Sequence, residues 1–385
     1  MTAPLCFITI DNLEDIAAAY GDGAAGRVLA CVADRLDDAL FQGRREGSVE
    51  AWGVSFSPMA LADAGITSLQ VESVISELSR VPVVLPRGRL VVTLSAHATR
   101  PSDGHRLSTC AMLSLPAYRT AMDVAAAAYL ALNAEQTHFL EQPIREAGGS
   151  GVLYDERLVR LRADDGSVIM PGGYMPALEQ LGLTQAFDKR LVELAIFQLR
   201  RRRGARLGCN ISSLSARSDR WWSDLFPLLL RDRNVAARLF IEITEAARPY
   251  RPADVIDFVA AIRDAGCSVA LDAFGAGYSS FCFVRDARFD VVKVDALFVQ
   301  TASATSDDRL FRNLVSLASS IAPHVIVEGV ENQTHLELAQ AAGAAWCQGG
   351  HVSDDAERVE DNALAPVRDH VFTPATAVRA GRLVS

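Results

Sequence analysis

Between residues 151 and 353, short apolar, β-branched runs that end in a polar residue alternate with stretches of helical spacing. The runs are VLYDERL, RLGCNIS, RLFIEIT, SVALDAF, FDVVKVD, HVIVEGV and AAWCQGG. Near-continuous apolar strands separated by helices are the pattern of a parallel sheet buried on both faces, and a TIM-type α/β barrel explains seven of them best. The first 140 residues read differently. A strand-like LCFITI leads into a helical pattern from Asn12 to about Leu40, and VEAWGVSFS and RLVVTLSAHA bracket a helical stretch near 68–79. An Ala-rich helix follows at 120–133, so this part is a smaller α+β domain. The polar, Gly-rich EQPIREAGGSG at 141–151 has the chemistry of a join. The expected division is therefore 1–140, a barrel over 141–370, and a tail over 371–385.

In such a barrel the strand C-termini share one mouth, where the active site is built. Here they carry Glu156, Asn210, Glu242, Asp272, Lys293, Glu328 and Gln348. A single carboxylate at a strand end is usually a helix cap, whereas a polar group at each of seven ends suggests a shared site. Converging carboxylates repel unless a cation neutralises them, and an all-oxygen set suits Mg²⁺ or Mn²⁺ rather than zinc. Lys293 either neutralises a phosphate or holds a water, or simply balances its acidic neighbours. Metal-assisted phosphoryl chemistry and a Schiff-base aldolase on Lys293 both remain open. The crowd of acids works against the lowered lysine pKa that the second needs.

Composition narrows the class. The 385 residues are 50% hydrophobic and 22% charged, ordinary globular material. Lys+Arg 38 against Asp+Glu 47 gives a net charge of -9, which argues against DNA or RNA as partners. Cys6, Cys31, Cys110, Cys209, Cys267, Cys282 and Cys347 show no metal spacing and read as reduced thiols. With no membrane span and no signal-peptide pattern, the cytoplasm is the expected location. Arg200 to Arg203 read as a solvated helix end, and Trp221 and Trp222 as core or interface residues.

The pieces ERLVRL at 156–161, NIS at 210–212, EITE at 242–245, DAFGAGYSS at 272–280, KVD at 293–295, EGVE at 328–331 and QG at 348–349 resemble, in order, the EAL domains that hydrolyse or bind bacterial cyclic di-GMP. The resemblance implies a modified TIM barrel whose active members use two Mg²⁺ or Mn²⁺ ions to open the cyclic dinucleotide to pGpG. It implies Glu156, Asn210, Glu242 and Asp272 as metal ligands, and Lys293 as a residue that orients water. Glu328 and Gln348 complete the site in this comparison. Leu158 and Arg160 meet the ligand, Arg160 gripping a phosphate, while Glu245 and Glu331 support loops. Three departures stand out. The family's DDFGTG reads Asp272-Ala273-Phe274-Gly275-Ala276-Gly277, so a second-metal ligand is lost at Ala273 and the site is expected to hold a single ion. Glu-Ala-Leu has become Glu156-Arg157-Leu158, which puts a long cation beside the pocket or on its rim. The usual QGY...P reads Gln348-Gly349-Gly350-His351-Val352-Ser353-Asp354-Asp355.

Residues 7–36 are similar to the opening strand and helix of GGDEF domains, which make cyclic di-GMP. Thr9 stands where that family binds metal, Ala17 and Gly26 where it reads guanine, and Trp52-Gly53-Val54-Ser55-Phe56 replaces its loop, so no diguanylate cyclase activity is expected. The expected protein is a catalytically degenerate GGDEF-EAL receptor or regulatory protein. Its partners would be cyclic di-GMP and an unidentified protein, with a homodimer as the default assembly. A slow phosphodiesterase and an interaction module that binds no nucleotide are the alternatives.

Overall fold

The computed structural model describes residues 6–86, 88–100, 113–134, 137–163, 166–219, 222, 225–244, 251–277, 280–353 and 358–360. Two compact units divide it. One comprises the residues up to 136 with Gly172–Ala186, and the other Thr137–Pro171 with the residues from Phe187 onward.

The first unit contains an antiparallel sheet of β1 (Phe7–Ile10), β2 (Ser48–Glu50), β3 (Gly53–Ser55) and β6 (Leu94–His97), in the order β2-β3-β1-β6. A hairpin of β4 (Val83–Leu85) and β5 (Gly88–Leu90) stands apart from that sheet. The single helix expected from Asn12 to Leu40 is two, Leu13–Tyr20 and Asp22–Phe41, interrupted at Gly21 with φ +88°. That left-handed backbone angle costs glycine little, and it ends the first helix. Ile16, Val28, Val32 and Leu36 all lie in the core, as their spacing requires. The Ala-rich helix is Leu115–Asn133, capped by Ser114, whose side chain accepts from the Ala117 N–H.

In the second unit the seven predicted runs all form strands. They are β8 (Val152–Arg162), β10 (Leu207–Ser212), β11 (Leu239–Thr244), β12 (Ser268–Phe274), β13 (Val291–Val294), β14 (His324–Val327) and β15 (Trp346–Cys347). Each pairs in parallel with the next. The ring closes through β7 (Thr137–Glu146), antiparallel to both β8 and β15. Two short strands, β9 (Val168–Ile169) and β16 (Arg358–Glu360), extend the ladder at β8 and β7. The stretch expected to act as a join, 141–151, is thus the second half of a barrel strand and the turn into the next. Residues 371–385 lie outside the described residues.

The lower part of the barrel is filled by Ile144, Leu153, Tyr154, Phe240, Ala270, Val291 and Ile326. Tyr154 stacks on Phe240 with ring centroids 4.1 Å apart. Burying such side chains contributes roughly 1.5–3 kcal/mol each and gives the mouth above them a fixed floor. Trp222 is core, as expected, packing on Phe258 and donating its indole N–H to the Ser215 carbonyl. Trp221 lies outside the described residues. Arg200 pairs with Asp232 at the helix end, but Arg202 turns inward to Glu141. The described cysteines, all those named above except Cys110, are free thiols. Among the described residues no helix is long and apolar enough to cross a membrane.

Candidate functional site

Register places the polar strand ends together. Asn210 pairs with Glu242 across β10 and β11, and Thr244 pairs with Asp272 across β11 and β12. Between Leu271 and Phe274 the register of β12 against β13 shifts, so that Asp272 and Ala273 together face Lys293 alone. Such a bulge re-aims a side chain, here Asp272 toward Lys293. It also leaves Ala273 in the left-handed region at φ +60°.

Lys293 is the centre of the site. Its side chain is 1% exposed, and Nζ lies 2.8 Å from Glu156 Oε2, 2.8 Å from Glu242 Oε2, 2.9 Å from Glu328 Oε1 and 3.2 Å from Asp272 Oδ1. Asn210 donates its amide to Glu156 Oε1 at 2.6 Å, and Gln348 donates to Glu156 Oε2 at 2.6 Å. All seven predicted strand-end residues are thus joined: Glu242, Asp272 and Glu328 touch Lys293, Asn210 and Gln348 touch Glu156, and Lys293 and Glu156 touch each other.

The electrostatics follow from one ammonium serving four carboxylates. Burial pushes Glu156 up, but Lys293 and the hydrogen bonds from Lys293, Gln348 and Asn210 outweigh it and hold it below the ordinary value. Glu242 is not so served. Burial, then the charge of Glu156, pushes it up to about 8. Burial likewise raises Glu328 well above the usual range, with Lys293 opposing. Burial alone would lower Lys293, yet Asp272, Glu156, Glu242 and Glu328 raise it far above an ordinary lysine. This is the reverse of what a Schiff-base nucleophile needs, so the aldolase alternative loses its chemical basis.

Among the described residues no three His, Cys, Asp or Glu side chains are gathered at metal-ligand spacing. The four acids are instead drawn onto Nζ. Their remaining capacity nevertheless suits a hard cation. Asn210 Oδ1, both Glu242 oxygens, Asp272 Oδ1 and Gln348 Oε1 are buried and accept no properly directed hydrogen bond. Unfilled oxygen acceptors beside carboxylates with raised pKa values are the donor set that Mg²⁺ or Mn²⁺ takes. The residues therefore fit such an ion, with Glu156, Asn210, Glu242 and Asp272 as its holders.

Glu156, Leu158 and Arg160 share one face of β8 by strand alternation. Arg160 is half-buried and has no carboxylate partner among the described residues; its one hydrogen bond runs to the Val159 carbonyl. Arg157 corrects the expectation of a cation at the rim. Alternation turns it to the opposite face, where its side chain is 1% exposed. Its guanidinium lies 3.6 Å from the centre of the Phe139 ring, and its Nε is 4.0 Å from Glu141 Oε1. Glu331 accepts the Gly350 N–H at 3.2 Å, tying the loop after β14 to the one after β15. Glu245 lies outside the described residues, as do Tyr278, Ser279, Asp354 and Asp355.

Two contributors escaped sequence reasoning. Gln142 on β7 accepts from the same Gln348 Nε2 at 2.9 Å and fixes the amide that braces Glu156. It sits in the stretch read as a join, where strand alternation around Glu141 is masked by charge. Gly208 pairs with Glu156, and a Cβ there would lie 2.2 Å from Glu242 Oε1 and 2.7 Å from Tyr154 Cε2. Only glycine leaves that carboxylate its space, a constraint invisible without the register.

A family model described as EAL domain matches residues 125–355. Among curated relatives, cyclic di-GMP phosphodiesterase PdeF of Escherichia coli (strain K12) is 25% identical over 243 residues, 61% of this chain and 32% of that protein. Cyclic di-GMP phosphodiesterase NbdA of Pseudomonas aeruginosa is 25% identical over 380 residues, 87% of this chain and 47% of its own. The chain thus spans less than half the length of these relatives. The EAL domain protein of Listeria monocytogenes superposes with TM-score 0.51 at 25% identity, over 58% of this chain and 90% of that one. Vibrio cholerae LapD, an S helix-GGDEF-EAL structure bound to c-di-GMP, superposes with TM-score 0.56 over 90% of this chain and 88% of that one. At 18% identity the LapD likeness is one of fold.

Proposed function

The chain belongs to the EAL domain family, and from that premise we propose that it is a cyclic di-GMP receptor or regulatory protein with little or no turnover. The observation that carries the reading is the pairing of a complete inner ring, Glu156, Asn210, Glu242, Asp272, Lys293, Glu328 and Gln348, with Ala273 on the bulge beside it. Glu156, Asn210, Glu242 and Asp272 would hold one Mg²⁺ or Mn²⁺, which would supply positive charge to a phosphodiester. Arg160, on the same face as Glu156, grips a phosphate oxygen pair, and Leu158 packs against the ligand between them. Lys293 holds a water against the phosphorus, with Glu328 on its other side. Ala273 offers no oxygen for a second ion, and without two ions the attacking and leaving oxygens are not stabilised together.

The first unit is, in this reading, a GGDEF-like domain without cyclase chemistry, and the barrel domain begins with β7 at Thr137, not at 141 as the sequence pattern suggested. The LapD superposition over most of the chain supports the pairing of these two folds. Thr9, at the metal position of that comparison, hydrogen-bonds to Asp11 and contacts His97 instead. The protein acts in the bacterial cytoplasm and passes the bound state to a protein partner, either as a homodimer or alone. Glu331 supports the loops that frame the ligand.

The names of PdeF and NbdA favour a second reading, a slow phosphodiesterase. Calorimetric titration with cyclic di-GMP, in Mg²⁺, in Ca²⁺ and without metal, followed by chromatography of the same samples for pGpG, separates the two. Saturable binding with intact ligand supports the receptor. Stoichiometric conversion to pGpG in Mg²⁺ makes it an enzyme, and silence in both measurements leaves an interaction module.

A further inference from the structure

Asn210 lies on a stretch of strand that is open on one side. β10 runs beside β11 as far as the Ser212–Thr244 pair, whereas its ladder with β8 ends at the Cys209–Arg157 pair. Residues 210–212 therefore have no strand on their β8 side among the described residues. Buried backbone without a strand beside it needs another partner.

A helix supplies that partner. Asp188, in the second turn of the helix Thr184–Arg201, is 1% exposed and belongs to the barrel unit. Its Oδ2 accepts the Ser212 N–H at 2.9 Å and the Ser215 hydroxyl at 2.6 Å. Ser215 is held twice more: its N–H donates to the Ser212 carbonyl at 2.9 Å, and its own carbonyl accepts the Trp222 indole N–H at 3.0 Å. Ser212, Ser213 and Ser215 are all buried, so the turn that leaves the strand at the mouth is packed and tied to one carboxylate. Hydrogen bonds to an ionised acceptor are roughly twice as strong as neutral ones, and a buried carboxylate depends on them.

Strand alternation gives Asn210 and Ser212 the same orientation, so holding the Ser212 N–H holds the twist of the backbone from which Asn210 projects. Asn210 then donates to Glu156 Oε1 at 2.6 Å, and its Oδ1 stays buried with no hydrogen bond to accept. We propose that Asp188 is a positioning residue for the mouth: through the Ser212 N–H it fixes the strand end that presents Asn210 Oδ1 to the cation. The inference rests on the reading of Glu156, Asn210, Glu242 and Asp272 as holders of one Mg²⁺ or Mn²⁺, and it adds to that site a residue with no oxygen on the ion.

The test is calorimetric titration of the full chain with Mn²⁺, using the parent, D188A, D188N, N210A and the double variant D188A/N210A. D188A should weaken binding about tenfold, the lower end of what the outer partners of metal ligands contribute. D188N keeps an oxygen for the Ser212 N–H and should bind within about threefold of the parent, since the bond survives and loses only its charge. On top of N210A, D188A should change nothing further, because its effect passes through Asn210. D188S, whose oxygen stops short of the Ser212 N–H, takes the place of D188A if that variant does not refold. Equal Mn²⁺ binding by the parent and D188A overturns the inference, whatever the loss of thermal stability, and so does a D188A effect that persists in full without Asn210. Weakening by D188N as large as that by D188A would show the charge of Asp188 acting at a distance and overturns it too. A parent that binds no Mn²⁺ overturns the metal reading itself, and this inference with it.

Discussion

Replacing Lys293 by methionine tests the electrostatic account of the site most severely. The substitution keeps the length of the side chain and removes the one ammonium that lies within 3.2 Å of four carboxylates. Breaking a buried ion pair by removing one partner typically costs about 3–5 kcal/mol, because the other charge is left without compensation. With Glu242 fully buried and Glu156 nearly so, the upper part of that range is expected in EDTA near pH 7.5. The acids can recover part of it by taking up protons. Without the ammonium the folded pKa values of Glu242 and Glu328 rise further above the unfolded value and Glu156 loses the main charge that holds it below, so the folded state binds more protons than the unfolded one and stability rises as pH falls. A divalent cation offers the other remedy: at 100 times its Kd it returns about 2.7 kcal/mol. Urea unfolding of K293M at pH 5.5 and 7.5, in EDTA and in Mg²⁺ or Mn²⁺, measures all three effects. Stability equal to the parent's in EDTA at pH 7.5, with no pH dependence, would show that Lys293 is not the charge that holds the acids together.

The parent protein without metal should itself lose stability as pH rises from about 4.5 to about 8, because Glu242 titrates at about 8 when folded and near 4.5 when unfolded. The folded state binds the extra proton throughout that window, so the loss approaches about 1.4 kcal/mol per pH unit, and urea melts with and without Mg²⁺ should show the cation flattening it. Gly208→Ala places a methyl 2.2 Å from Glu242 Oε1; overpacking of about 1–3 kcal/mol should appear in the thermal melt, together with weakened Mn²⁺ binding by calorimetry. Ala273→Gly should stabilise the barrel by about 1 kcal/mol in urea melts, since it relieves a left-handed alanine without adding a ligand.

Much of the barrel was legible because parallel strands buried on both faces leave continuous apolar runs, and each ends in a polar residue where the chain reaches the mouth. The strand that closes the ring was not. β7 is antiparallel and half polar, its buried Glu141 breaks the alternation, and Pro143 and the glycines at 148, 149 and 151 carry the signals of a loop. The mouth residues were legible as a set, but Lys293 as the shared partner of four acids needed coordinates. The contacts show Lys293 balancing its acidic neighbours, while its part in handling a water belongs to the proposed function. Arg157 was misplaced for a simple reason: strand alternation alone puts it on the face opposite Glu156, yet the likeness to the Glu-Ala-Leu motif drew attention to the pocket. Tyr154 and Gly208 could not be found from residue type, since what matters is the register that sets both beside Glu242.

The central claim is that the ring at the mouth is complete for binding and deficient for turnover because of Ala273. The most direct test is single-turnover incubation of cyclic di-GMP with excess protein and Mn²⁺, parent beside A273D, with pGpG followed by chromatography. Aspartate tolerates the left-handed backbone at this position better than most residues, so the variant should fold as the parent does. The account predicts intact ligand with the parent and pGpG with A273D, at a rate at least about tenfold higher, a barrier change of about 1.4 kcal/mol. Rapid conversion by the parent that A273D does not accelerate would contradict it.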